Sequence, residues 1–323
     1  MVDTGENLVI FDTDPGIDDA MALLFLKAQP SLRLAAITTV FGNAEVEITT
    51  RNALYLAQRF GIDAPVYAGA PRPLTIERRQ APTFIHGDDG LGDAGVIDGF
   101  AAEPAEGHAA DRIVEIVRAN PGRVTLLAVA PLTNLALALE RNPGIATLVK
   151  DVVIMGGAFG WNGRRGNATP AAEANVHNDP HAADMVFTAA WPVTAIGLDV
   201  TSHCVASHDD AAELAGGGEA GRFLWDISRG YEALYRRRNQ VDGCCLHDVA
   251  AAAYLVAPGL FTLRSGPVRV VTEGIAIGQT IQKLDGHKFG PNAWDGHPSK
   301  LVAAEADCAG IVESYKAAIR SLG

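Results

Sequence analysis

The chain has 323 residues, with 26 Lys and Arg against 38 Asp and Glu, for a formal net charge of −12. An acidic surface of this kind repels nucleic-acid phosphates and anionic lipid, which argues against a general nucleic-acid or membrane-surface binder. A hydrophobic content of 48% with 20% charged residues is that of a folded chain, and no run reaches the roughly 18 apolar residues of a membrane span.

The pattern then reads, in chain order, as alternating strands and helices. Residues 8–11 form a short buried strand, and 18–28 a helix with Ala20, Leu23, Leu24 and Lys27 at helical spacing and Pro30 beyond its end. A strand at 34–40 and a helix at 46–60 stopped by Gly61 follow. Next come a helix at 111–119, a strand at 124–130, a helix at 133–140, and a strand at 152–155 running into Gly156-Gly157. Asp179-Pro180 opens a helix at 181–188, and 193–200 reads as another strand. In the tail, 260–263 and 267–272 look like a strand pair, and 308–321 like a closing helix. Strand–helix–strand order with buried strands predicts an α/β fold with an open, mostly parallel central sheet flanked by helices. There is no repeat and no Pro/Ser-rich linker, so residues 1–323 are expected to form a single domain. The Gly-rich stretch 215–221 is the best candidate for a flexible break.

Residues 1–11 lack a basic region followed by a long apolar core, so a cytoplasmic location is expected. The four cysteines, Cys204, Cys244, Cys245 and Cys308, form no CxxC pair and are expected to be reduced thiols.

Ligands in open parallel sheets bind beyond the carboxyl ends of the strands. That is where Asp12-Thr13-Asp14-Pro15-Gly16-Ile17-Asp18-Asp19 falls. Four converging carboxylates require a cation or raised pKa values. Oxygen donors without a Cys/His set suit Ca²⁺ or Mg²⁺ rather than zinc. Helix capping by Asp18 and a turn capped by Asp12 would explain one or two of the four. The segment is not a helix–loop–helix calcium loop, because counting from Asp12 the fifth, sixth and twelfth positions hold Gly16, Ile17 and Leu23. A strand followed by Asp-x-Asp also suits a haloacid dehalogenase-type phosphatase with Asp12 as nucleophile and Mg²⁺, although Gly16 departs from that pattern. A nucleoside- or ribose-binding protein without turnover is the non-enzymatic alternative.

The Asp12–Ala20 segment closely resembles the N-terminal signature of the inosine-uridine nucleoside hydrolase family. Further blocks follow in order: Thr38-Thr39-Val40-Phe41-Gly42-Asn43, His86-Gly87-Asp88-Asp89-Gly90-Leu91-Gly92, Pro131-Leu132-Thr133-Asn134, Met155-Gly156-Gly157, Gly166 through Asn175, and Leu246-His247-Asp248. The resemblance implies Ca²⁺-dependent hydrolysis of the N-glycosidic bond of ribonucleosides to free base and ribose. By position, it implies carboxylate ligation of Ca²⁺ by Asp14, Asp19 and Asp248, with Val129 contributing its backbone carbonyl. Asp18 and Asn175 would hold the ribose 2′-hydroxyl and Asp248 the 3′-hydroxyl, while Asn167 and Glu173 reach the 5′ end. Asn43 and Met155 would line the sugar pocket, and His86 would contact the base. A water acidified by Ca²⁺ and deprotonated by Asp14 would attack C1′, with carboxylates stabilising the oxocarbenium-like sugar. His247 would protonate the leaving base, and its presence rather than Trp resembles the subgroup accepting both inosine and uridine. Relatives form dimers or tetramers, so a homodimer or homotetramer with no nucleic-acid or membrane partner is implied. Val249 replaces the family's usual Pro after the His-Asp pair. Arg236-Arg237-Arg238 lies near the region that closes over the base in relatives.

Overall fold

The computed structural model describes residues 7–323. The first strand, β1 (Asn7–Thr13), is apolar on both faces and therefore sits in the middle of a sheet. Around it assemble β2 (Leu32–Thr39), β3 (Val66–Ala68), β4 (Val124–Ala128), β5 (Asp151–Met155) and β6 (Val193–Ile196), all parallel to their neighbours. With β9 (Phe261–Gly266) and β12 (Lys300–Ala306) the order is β3-β2-β1-β4-β5-β6-β12-β9, and only the β12–β9 pairing is antiparallel. The expected open, mostly parallel sheet is thus present. Two small pairs stand apart from it: β7 (Val205–Ser207) with β8 (Gly243–Cys245), and β10 (Val268–Val270) with β11 (Thr280–Gln282).

Strand pleating sorts the core. Val9, Phe11, Leu127, Val153 and Met155 face one side of the sheet, and Leu8, Ile10, Leu126, Ala128, Val152 and Ile154 face the other. The first side is covered by α1 (Ile17–Lys27), α2 (Val46–Arg59), α10 (Glu219–Asn239), α11 (His247–Tyr254) and α12 (Cys308–Ser321). The second is covered by α4 (Ala109–Ala119), α5 (Thr133–Arg141) and α7 (Pro180–Thr188). Every residue of α1 from Ile17 to Leu26 is buried, so this helix is enclosed by sheet and helices together. The remaining helices are short: α3 (Thr83–His86), α6 (Ala174–Asn178), α8 (Leu198–Thr201) and α9 (His208–Ala215). Among the described residues no helix is long and apolar enough to cross a membrane.

Three expectations are corrected. The apolar run 193–200 is not one strand: β6 ends at Ile196, Gly197 turns the chain, and Leu198–Thr201 is helical. The segments 260–263 and 267–272 do not pair with each other, because β9 joins β12 at the sheet edge while β10 takes β11. The Gly-rich stretch 215–221 is no break. A side chain on Gly218 would collide with Gly323, and the Ala220 amide donates to the Gly323 carbonyl, so the turn is packed under the chain's last residue.

Lys300 opens β12 with its side chain buried, its ammonium donating to the carbonyls of Ala189 (2.7 Å) and Trp191 (2.6 Å). Burial lowers its pKa from the usual 10.5 to about 8. Between those values the unfolded chain holds more protons than the folded one, so this group's contribution to stability rises with pH across the window. Urea denaturation of the wild type and Lys300→Met at pH 8 and pH 10 checks this. The wild type is expected to gain relative to the variant at the higher pH, and an unchanged difference would refute the assignment.

Candidate active site

The order of the sheet reverses between β1 and β4, which opens a crevice at their carboxyl ends. Asp14 follows β1, Val129 follows β4, and Met155 ends β5, so three parts of the expected site converge there by topology alone. The end of β1 at Thr13 decides which aspartates enter it. Asp12 shares the parity of Leu8 and Ile10 and points to the α5 face. Its Oδ1 there accepts hydrogen bonds from Thr38 Oγ1 (2.6 Å) and Asn134 Nδ2 (2.8 Å). Burial raises its pKa to about 7. Asp12 therefore ties β1 to β2 and α5 through Oδ1, while its Oδ2 is buried without a partner.

Asp18 and Asp19 occupy the first turn of α1, after the turn at Pro15-Gly16. Asp248 occupies the first turn of α11, which packs against α1. Carboxylate oxygens of Asp18, Asp19 and Asp248, all buried, lie within 4.8 Å of one another. Asp14 is adjacent. Its Oδ2 accepts from the Asn43 amide at 2.7 Å, while its Oδ1 is buried without a partner, as is Asp18 Oδ1. Asp19 is the best-held member: Oδ1 accepts from Thr13 Oγ1 (2.5 Å) and the Asp14 amide (3.2 Å), and Oδ2 from the Gly16 amide (2.9 Å) and Asn43 Nδ2 (3.0 Å). Asp18 is not an N-cap, since the cap position is Gly16. Neither does Asp248 cap α11. Gly42 makes the Asp14–Asn43 contact possible, because a Cβ there would lie 1.9 Å from Asp14 Oδ2.

The electrostatics follow from this crowding. Desolvation raises the carboxyls of Asp14, Asp18, Asp19 and Asp248, Asp18 to about 8, and the charges of neighbouring carboxylates push Asp14, Asp18 and Asp248 further in the same direction. The two unpartnered oxygens and the all-oxygen donor set are what a hard divalent cation requires.

The other expected residues are distributed around this cluster. Asn175 Nδ2 donates to the carbonyls of Val129 (3.0 Å) and Met155 (3.1 Å) and lies 3.5 Å from Met155 Sδ, so it spans the ends of β4 and β5. Glu173 is buried and turns both oxygens to backbone amides: those of Asn175 (2.8 Å) and Val176 (3.1 Å), where it caps α6, and that of Gly157 (3.0 Å). Asn167 is exposed, with Oδ1 accepting from the Ala174 amide. His86 is buried at the end of α3, its Nδ1 accepting from the Ile17 amide at the start of α1 (3.2 Å). Burial lowers its pKa to about 3.

His247 is buried as well. Its Nδ1 lies 2.8 Å from Thr201 Oγ1 and its Nε2 2.9 Å from the Tyr235 hydroxyl. Burial, assisted by the positive charge of Arg164, lowers its pKa to about 4, so the ring is neutral at neutral pH. Tyr231 donates to the Tyr235 hydroxyl at 3.3 Å, and its ring centroid lies 5.9 Å from that of His86. Sequence reasoning missed Tyr231, Tyr235 and Thr201. The tyrosines are four residues apart on α10, a spacing that reads as a packed helix face. Of the basic run beside them, Arg236 pairs with Glu232 and Asp242, and Arg238 stacks over the Phe84 ring at 4.5 Å.

Residues 9–313 match the family model described as inosine-uridine preferring nucleoside hydrolase. Uridine nucleosidase 1 of Arabidopsis thaliana is 40% identical over 96% of this chain and 92% of its own. A non-specific ribonucleoside hydrolase of Salmonella enteritidis is 39% identical over 86% of this chain and 88% of its own. A plant nucleoside hydrolase superposes with a TM-score of 0.93 at 35% identity, covering 98% of this chain and 99% of that one. A purine-preferring ribonucleoside hydrolase from Gardnerella vaginalis gives 0.89 at 31% identity, covering 98% of each. Both likenesses cover 98% of this chain. The chain accordingly belongs to the inosine-uridine preferring nucleoside hydrolase family, N-glycosyl hydrolases that act on ribonucleosides.

Proposed function

We propose that the protein is a calcium-dependent hydrolase of purine and pyrimidine ribonucleosides of the inosine and uridine type, with Asp14 as general base and His247 as the source of the leaving-group proton. The observation that carries this reading is the convergence of Asp14, Asp18, Asp19 and Asp248 in one buried crevice, with two carboxylate oxygens left unpartnered. Asp14, Asp19, Asp248 and the Val129 carbonyl would hold the ion. When bound, calcium supplies the positive charge that lets these carboxylates ionise together and acidifies a water molecule.

The chain's own residues do the rest. Asp14 Oδ1 is the free acceptor that takes a proton from the attacking water, while Asn43 holds the other oxygen in place. Asp18, Asn175 and Asp248 grip the ribose hydroxyls and fix C1′ against that water. Their negative charge and amide oxygens stabilise the cationic sugar as the base departs. Glu173 shapes the loop that receives the 5′ end. His86 and Tyr231 border the base.

The departing base must gain a proton, and the neutral His247 ring, hydrogen-bonded to Tyr235, is the buried group able to relay one. Thr201 keeps the ring oriented through Nδ1. The test is sugar release from inosine, from uridine and from a riboside with an activated leaving group, by the wild type and by His247→Ala. The variant is expected to lose about 10²–10⁴-fold on inosine and far less on the activated riboside. Equal losses would remove His247 from the acid role, and no release from any substrate by the wild type would overturn the reading as a whole.

A further inference from the structure

The mechanism leaves four thiols unused. Cys244 and Cys245 are buried in β8, and burial pushes both up to about 12, so they stay protonated. Cys204 and Cys308 are different. Cys204 lies buried in the turn between α8 and β7, and Cys308 is the half-buried first residue of α12. Their sulfur atoms approach one acceptor, the Val200 carbonyl oxygen, at 3.6 and 3.8 Å. Each thiol also shifts the other, that of Cys204 upward and that of Cys308 downward.

The acceptor they share belongs to α8, and α8 holds three parts of the site together. Asp199 receives the amides of Phe159 (2.8 Å) and Trp161 (2.6 Å), fixing the start of the loop that continues to Asn167 and Glu173. Thr201 meets His247 Nδ1. The Cys204 carbonyl accepts from the amide of Leu246, the residue just before His247, at 2.8 Å. The thiol pair therefore lies against the short helix that orients His247.

We propose that Cys204 and Cys308 are a redox modification site, a dithiol that closes to a disulfide under hydrogen peroxide and slows hydrolysis by displacing α8 and, with it, His247. Only the kinetic consequence rests on the function proposed above. Cys308 is the attacking sulfur: it is the more exposed, and it opens a 14-residue helix whose N-terminus favours a thiolate. Its thiolate attacks peroxide, an S–O bond forms as the O–O bond breaks, and hydroxide leaves as water after protonation. The Cys204 sulfur then attacks the Cys308 sulfenic acid. The S–S bond forms, the S–O bond breaks, and a second water leaves with the Cys204 proton. Two thiols and one peroxide thus give a disulfide and two waters, with the two electrons passing to peroxide. Drawing the two sulfurs from their shared carbonyl to an S–S bond of about 2.05 Å pulls on a turn whose neighbours are close-packed and do not yield freely.

The experiment uses the full chain with calcium added. It is treated with hydrogen peroxide, quenched with an alkylating agent and digested without reductant for peptide mass mapping. Sugar release is measured before and after dithiothreitol. The expected result is a Cys204–Cys308 linked peptide, a fall in kcat of about ten- to a hundredfold, recovery on reduction, and no fall in Cys308→Ser. Cys204→Ala, which keeps the attacking thiol, should lose the linked peptide. Failure to find that peptide in the wild type overturns the pairing. An equal loss of kcat in Cys308→Ser, or a linked peptide with unchanged kcat, overturns the coupling. Should the untreated protein release no sugar, the proposed function fails, and the linked peptide still decides the pairing.

Discussion

Asp14→Asn is expected to lower turnover of inosine and uridine by about 10³-fold, within the range that a positioned general base contributes, while the fold survives. Asp14 uses Oδ2 to accept the Asn43 amide and leaves Oδ1 buried and unpartnered. An asparagine at this position keeps its oxygen on Asn43 and turns its amide group toward the place of Oδ1. An acceptor becomes a donor at the point where the proposed mechanism has the attacking water give up a proton. The substitution is nearly isosteric, so a large loss of kcat with a thermal transition that is not lowered in calcium-free buffer separates chemistry from folding. Measurement at saturating calcium removes weakened ion binding as the cause. Near-normal kcat in this variant would end the assignment of Asp14 as the base.

Calcium depletion is expected to have the second large effect. A chelated and dialysed protein is expected to release no sugar from either nucleoside, and activity should return on adding calcium. Magnesium should restore less, because it demands near-octahedral geometry and gives up its water reluctantly. The same ion should stabilise the fold. Asp14, Asp18, Asp19 and Asp248 are buried together, and burial and mutual repulsion oppose their joint ionisation. A ligand that binds only the folded chain adds about 2.7 kcal/mol at a hundredfold excess over Kd, visible as a rise in melting temperature of several degrees. His247→Ala is the informative control, since it should lose turnover of inosine and keep the calcium-dependent rise. Asp14→Asn should show a smaller rise. Full activity after chelation, or a melting temperature indifferent to calcium, would refute the metal assignment.

The parts of the protein legible in its sequence are those encoded over a few neighbouring residues. The apolar runs of β1, β4 and β5 and the helical spacing of α1, α2, α4, α5 and α7 matched the structure to within a few residues. Asp14, Asp18 and Asp19 after a strand and Asp248 beside His247 pointed to the crevice in which their carboxylates now lie together, whereas Asp12 of the same run is bonded to Thr38 and Asn134 instead. Tertiary structure decided what local pattern leaves ambiguous. The run 193–200 is apolar throughout, and such a run does not distinguish strand from buried helix. The Gly197 turn and the packing of α8 against β12 made its second half helical.

Pairing at the sheet edge followed the same rule, since β9 took β12, about forty residues onward, rather than the adjacent β10. Asp12 and Asp14 are chemically identical and two residues apart. One became a buried tie between strands and the other a candidate base, because β1 ended between them and Asp14, past the strand end, met the Asn43 amide. Tyr235 and Thr201 joined His247 only when α10 and α8 packed beside α11. Spacing along the chain records which face of an element is apolar. Which hydroxyl meets which imidazole is set by contacts between elements distant in sequence, and only the assembled core determines those.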